Sequence, residues 1–164
     1  IFYIAPSSTQ ATALTLIPFS NPTKPITEMQ QILVECHPTE IGDICCSADG
    51  QYIFISELDR CSVNKGSLVI LKNETTSDLT HCHYLTLHKI ENFLGEYSRL
   101  VCPKKKYDNK ELLLVTNGAS CEVSLVNLCD GEVLKKISLK FFHKNNLNCM
   151  VAANDGDSVF VGDR

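Results

Sequence analysis

The sequence predicts an all-β chain made of a repeated antiparallel unit, and three observations carry that expectation. Short apolar runs of strand length recur along the 164 residues, and only one stretch fits a helical period at all. β-Branched and aromatic residues fill the best of these runs, as in Tyr52–Ser56 (YIFIS). Turns rich in Asp, Asn and Gly separate the runs and repeat at a similar spacing.

Taken in order, Ile1–Ile4 and Ala13–Phe19 read as short strands. Pro18 cannot donate to a ladder, so the second of these is at an edge or ends there. Ser20–Pro25 (SNPTKP) is a proline-punctuated loop. Within Ile26–Cys36, Met29, Ile32 and Leu33 have helical spacing, while Ile32-Leu33-Val34 fits a strand. The strand reading is preferred because every neighbouring run is a strand.

Ile41–Ile70 is the clearest unit. Ile41–Ser47 is an apolar strand, Ala48–Gln51 a hairpin turn with Gly50 free to take positive φ, and Tyr52–Ser56 the partner strand. Glu57–Gly66 reads as a polar connection, Ser67–Leu71 as a third strand and Cys82–Leu87 as a fourth. A second copy runs through Arg99–Cys102, the charged turn Pro103–Lys110, Leu112–Thr116, Asn117–Ser120, Val123–Leu128, the turn Cys129–Glu132 and Val133–Leu139. A third begins at Asn148. Asp49, Asp108 and Asp155 mark the corresponding bend, with separations of 59 (49 to 108) and 47 (108 to 155) residues. Four-stranded propeller blades repeat at about 40–50 residues. The longer first interval is assigned to an insertion at Ile90–Tyr97.

Composition bounds the rest. A hydrophobic content of 44% supports a real core, and a net charge of -4 gives no general attraction to nucleic acid or to anionic membranes. No apolar stretch approaches the length of a membrane span. Nine cysteines stand at scattered positions with no CxxC. They read as reduced core thiols of an intracellular protein, cytoplasmic or nuclear. The sequon Asn73-Glu74-Thr75 is the one sign pointing the other way. The chain begins at Ile1 and ends at Arg164 just after an apolar run, which reads as a piece of a longer protein.

The stretches ICCSADGQYIFIS…GSLVIL, ELLLVTNGASCEVSLVNLCDGEVLKKI and CMVAANDGDSVFVGDR resemble the WD40-like β-propeller repeat family over most of Cys36–Arg164. His37 and His143 lie ahead of their repeats, roughly where that family places its Gly-His. The chain departs from the pattern in having no Trp and no Gly before either His, and Ser67–Leu71 and Val123–Leu128 lack the Trp-Asp ending. The resemblance implies a partial propeller of about three blades. Residues 1–36 would be outer strands of a preceding blade with a Pro-rich loop, and 37–89 the first full blade. Residues 90–140 would be a second blade with its insertion, and 141–164 the start of a third. An incomplete propeller leaves sheet edges open, so such a piece alone is expected to be poorly soluble. The C-terminal DSVFVGDR is also similar to a segment of the WD-repeat, non-catalytic subunits of tRNA (guanine-N7) methyltransferases.

No motif carries a reaction. Phosphate-cradling glycine loops and H-E-x-x-H are absent, and no cysteine–histidine pair has a nucleophile signature. His81 and His83, with His88 nearby, could face one side of a strand and ligate zinc, but no second pair stands at ligand spacing. They read as ordinary strand histidines. Asp49, Asp108, Asp130 and Asp155 read as turn formers. The run Lys104-Lys105-Lys106-Tyr107 reads as a solvated hairpin tip able to touch phosphates or an acidic partner.

The function expected is a non-catalytic scaffold whose loops dock other protein subunits, without cofactor, metal or membrane contact. The contact residues expected are Glu57, Asp59, Arg60 and Lys65 on one connection and Lys104, Lys105, Lys106 and Tyr107 on another. The alternatives are a non-catalytic subunit of a tRNA (guanine-N7) methyltransferase, meeting RNA only through its partner, and a propeller enzyme with its site elsewhere.

Overall fold

The computed structural model describes residues 2–5, 12–16, 30–34, 40–58, 65–74, 84–95, 97–143, 145–153 and 157–163. Among these residues every regular element is a strand and there is no helix. The chain divides into two compact units, Ile1–Thr39 with Asn73–Leu85, and Glu40–Lys72 with Thr86–Arg164.

The first unit holds a three-stranded antiparallel sheet in the order β1 (Phe2–Ala5), β2 (Thr12–Leu16), β3 (Gln30–Val34). Leu14 registers with Ile4 on one side and Ile32 on the other. The segment with helical spacing is therefore a strand over Gln30–Val34. Strand β2 is the central strand of this sheet and not an edge, and Pro18 lies outside the described residues.

The second unit carries two four-stranded sheets of up-and-down order and a hairpin. The first sheet is β4 (Glu40–Cys46), β5 (Tyr52–Leu58), β6 (Gly66–Asn73) and β7 (Tyr84–Leu94). The second is β8 (Leu100–Val101), β9 (Leu112–Asn117), β10 (Glu122–Asn127) and β11 (Val133–Ser138). The hairpin is β12 (Leu147–Ala152) with β13 (Val159–Asp163).

Strand β7 corrects one expectation. Ile90–Leu94 is no insertion; it continues the outer strand of the first sheet, past the boundary placed at residue 89. The outer strand is solvent-facing along most of its length, so Glu91 and Asn92 cost nothing there and do not end it. Asn92 takes φ 53°, a local kink within the strand.

Strands β5 and β6 are buried on both faces, which is why they read as near-continuous apolar runs. One apolar cluster joins the two large sheets: Phe54, Leu68, Ile70 and Leu94 from the first meet Leu100, Leu113, Val115, Val126 and Leu128 from the second. Full burial of each such side chain stabilises by about 1.5–3 kcal/mol. The first strands of consecutive sheets lie side by side, β4 against β8 and β8 against β12. Polar ties repeat along this series. The Leu100 N–H donates to Asp43 Oδ2 at 2.8 Å, linking the first sheet to the second. Arg99 Nε donates to the Asn148 carbonyl at 3.0 Å, linking the second to the third.

Candidate docking cleft

Antiparallel order places the β4–β5, β8–β9 and β12–β13 turns at one end of the strands. The first two of these turns are set by local chemistry. In the first, Asp49 accepts from the Ser47 hydroxyl (2.6 Å) and the Gln51 N–H (3.0 Å), and the Tyr52 N–H donates back to Ser47 Oγ (2.9 Å). Gly50 takes φ 71°, where a side chain would strain the backbone. In the second, Tyr107 and Lys110 exchange backbone bonds of 2.9–3.0 Å around Asp108 and Asn109, both at positive φ (50° and 59°). Two successive left-handed residues make a type I′ hairpin loop, which Asp and Asn tolerate best after Gly.

A cleft of about 150 Å³ opens between these two turns. Ser47 and Asp49 line one wall and Lys104, Lys105 and Lys106 the other, over a floor that includes Cys102. Lys106 Nζ lies 2.8 Å from Glu111 Oε1, and Lys105 pairs with Asp157, which reaches across from the β12–β13 turn. The Ser47 hydroxyl and the Gln51 N–H hold the Asp49 carboxyl below its usual range, with Lys106 adding to this. Glu111 raises the Lys106 ammonium through its hydrogen bond and charge. Lys104 and Tyr107 are exposed beside the pairs. The arrangement is a charged rim in which positive and negative groups alternate. Below it, burial pushes the Cys102 thiol up to about 12 and the Cys45 thiol higher still, so neither is a ready nucleophile.

The expected contact residues do not form one surface. Lys104–Tyr107 lie at this end. Glu57 lies at the other end of β5, and Lys65, exposed just before β6, is also there. Glu57 is corrected: it is a strand residue, 2% exposed, whose Oε2 lies 3.0 Å from Lys89 Nζ. Strand β5 runs two residues further than its apolar pattern because Lys89 offsets the charge inside the sheet. The other oxygen of Glu57, Oε1, has no hydrogen-bond partner among the described residues. Asp59 and Arg60 lie outside the described residues, as do His81 and His83.

His88 is on β7, where its Nε2 donates to the Cys129 carbonyl at 3.0 Å and so ties that strand to the β10–β11 turn. Asp130 shapes that turn by accepting from Asn127 Nδ2 (2.8 Å) and the Glu132 N–H (2.9 Å). Among the described residues no group of three His, Cys, Asp or Glu side chains converges to hold a metal. The described cysteines are free thiols, but they are not all in the core: Cys121 is buried, Cys45 and Cys102 are half-buried, and Cys46, Cys129 and Cys149 are exposed. Among the described residues no helix is long and apolar enough to cross a membrane.

Two features escaped the sequence reading. The acidic wall of the cleft, Ser47–Asp49, was visible only as a turn. The exposed pair Phe141–Phe142 falls between Val133–Leu139 and the third copy at Asn148, where the sequence reading assigned it no role. No family model matches the chain, and no curated protein matches it.

Proposed function

We propose that the chain is part of a WD40-like β-propeller that serves as a non-catalytic scaffold for other protein subunits. The observation that supports this most is the series β4, β8, β12, in which each sheet places its first strand beside that of the next. Radial repetition of four-stranded sheets builds a propeller in this way. The closely set turns at one end supply a rigid rim, and rigid scaffolds place contact residues on such loops. An intracellular location fits the free thiols.

The hairpin β12–β13 supports the same reading. Its outer face carries Val151 and Phe160, paired across the strands and both exposed. A contiguous apolar face on a sheet marks a packing surface. In this reading a further sheet of the same construction covers it.

The second reading, a non-catalytic subunit of a tRNA (guanine-N7) methyltransferase, draws on the lysine wall of the cleft. Lys105 and Lys106 are already neutralised by Asp157 and Glu111, which weakens the pull on a phosphate chain. Protein docking is therefore placed first.

Affinity capture with cross-linking and mass spectrometry tests the proposal. The expected result is a stoichiometric protein partner cross-linked at Lys104, Lys105 or Lys106, lost in a Lys104→Glu/Lys105→Glu/Lys106→Glu variant of unchanged circular dichroism. Stoichiometric capture of the same partner by the triple variant overturns the assignment to this rim. Co-purified methyltransferase activity with bound tRNA selects the second reading.

A further inference from the structure

The β11–β12 connection lies at the end of the strands opposite the lysine cleft, and it carries the most exposed large apolar side chains among the described residues. Phe141 and Phe142 are 92% and 75% exposed. Their rings touch each other edge to face, with centroids 5.3 Å apart at 85°. Each exposed ring forgoes about 1.5–3 kcal/mol that burial would supply.

The backbone beneath them is held on several sides. The Phe142 and His143 N–H groups donate to the Leu139 carbonyl at 2.9 and 3.0 Å, and the Leu139 N–H donates to the Cys121 carbonyl at 2.8 Å. Cys121 Sγ reaches the Asn145 carbonyl at 3.1 Å, and the Leu147 N–H donates to the Gly118 carbonyl at 3.3 Å. The rings project from a braced turn, so ordering them on binding costs little.

The turn's own residues are basic, while Asp163 of β13 pairs with His143 (Nδ1 to Oδ2, 3.4 Å) and Glu122 of β10 registers with Ser138. The stretch KKISLKFFHK, residues 135–144, has four lysines, one histidine and no acidic residue, in a chain of net charge -4. Lys135, Lys136 and Lys140 are exposed. Lys136 Nζ sits 5.9 Å from the Phe93 ring centroid, which orients it on the sheet edge. Among the described residues strand β11 is also the last strand of its sheet, so it offers a backbone edge to an incoming chain. Lysines on such an edge guard against self-pairing. They do not account for two exposed phenylalanines at its end.

The partner follows from the range of the field. A short segment bound along β11 lies beside the exposed Lys135, Lys136 and Lys140, and charges beyond a Debye length of about 8 Å are screened from it. A membrane or a long nucleic acid also meets the net-acidic remainder, which repels it. The edge-to-face rings further cover part of the surface on which a base would stack.

We propose that β11 and the Phe141–Phe142 turn dock a short acidic protein segment bearing apolar side chains. Its apolar residues seat on the two rings, and its carboxylates lie along Lys135, Lys136 and Lys140.

A random 12-residue phage-displayed library panned on the whole chain tests this, with enriched sequences titrated as fluorescent peptides by anisotropy. The expected sequences combine Asp or Glu with Leu, Phe or Ile. Their affinity falls at least about tenfold in Phe141→Ser/Phe142→Ser, as for loss of hot-spot anchors. It falls also in Lys140→Glu, and it is unchanged in Lys104→Glu/Lys105→Glu/Lys106→Glu, which separates this surface from the cleft. Both rings are solvated, so the double variant melts within about 2 °C of the parent. No enrichment, equal enrichment on the double variant, or sequences without acidic residues overturn the proposal. Ring-dependent binding to phosphatidylserine-containing vesicles or to a 20-nucleotide polyuridine RNA, in place of peptide, also overturns it.

Discussion

The first and third sheets of the second unit present the same pair of positions in opposite states. In the first sheet Phe54 registers with Cys45, and in the third Phe160 registers with Val151. Both phenylalanines stand five residues past an aspartate in the sequence, Asp49 and Asp155. Phe54 is 0% exposed, packed against the second sheet, while Phe160 is 64% exposed beside Val151 at 59%. The strand pair, the spacing and the residue type are alike. What differs is the neighbouring sheet, so burial in this chain is decided by stacking and not by the strand's own pattern.

The largest effect expected from breaking that comparison is on Phe54. Phe54→Ala removes a ring from a filled interface and is expected to cost about 3–5 kcal/mol in denaturant melts. Phe160→Ala is expected to cost under about 0.5 kcal/mol, as at an exposed site. Equal losses in the two melts would contradict the assignment of the faces.

The polar ties between sheets come next. Asp43→Ala leaves the buried Leu100 N–H without its acceptor and is expected to destabilise by about 1–3 kcal/mol. Arg99→Met, which removes the tie to the open hairpin, is expected to cost less than Asp43→Ala. The reverse order in urea unfolding would place the stronger junction at the second sheet and the hairpin.

Cysteine chemistry sharpens the same contrast. Cys45 and Cys102 lie by the closed interface, and burial raises both thiols from 9.0, Cys102 to about 12. A thiol raised on folding contributes stability that is full below about pH 9 and is lost as pH rises toward 12. Alkaline unfolding is therefore expected to begin above pH 9, earlier in the parent than in a Cys45→Ala/Cys102→Ser variant. At pH 8, iodoacetamide is expected to label Cys149 on the open hairpin well before Cys45 or Cys102, read by peptide mass mapping.

The smallest effect belongs to the exposed turn. Asp49 is held below its ordinary value, so its contribution is present above about pH 4 and is lost as pH falls through its folded value. Ser47→Ala removes the first cause and is expected to bring the Asp49 titration, followed by NMR, back toward 3.8. An unmoved titration would mean that the Ser47 hydroxyl is not what holds the turn.

The fold was legible where the chain is buried on both faces. Tyr52–Ser56 and Leu112–Thr116 have no alternative as strands, and the turns at Gly50, Asp108 and Gly131 are written in residues that take positive φ. Strand β7 was not legible past Lys89, because a solvated outer strand accepts Glu91 and Asn92 as readily as a loop does. Glu57 misled for the converse reason. A carboxylate beside Leu58 looks like the start of a loop, and only Lys89, distant in sequence, makes its burial tolerable. The cleft was half legible. The lysine run announces itself, whereas Ser47 and Asp49 join it only through the side-by-side placement of β4 and β8. Phe141 and Phe142 stand among lysines, and a pair of rings between Lys140 and His143 reads equally well as an anchor turned inward or as two rings left in solvent.

In the proposed propeller the outer face of β12–β13 stacks against another sheet of this kind. Sedimentation velocity of this chain over a concentration series tests it most directly. The expected result is concentration-dependent association that Val151→Lys/Phe160→Lys abolishes and that Phe141→Ser/Phe142→Ser leaves in place. A chain that stays a cooperative, freely soluble monomer at every concentration, with Val151 and Phe160 intact, would contradict it.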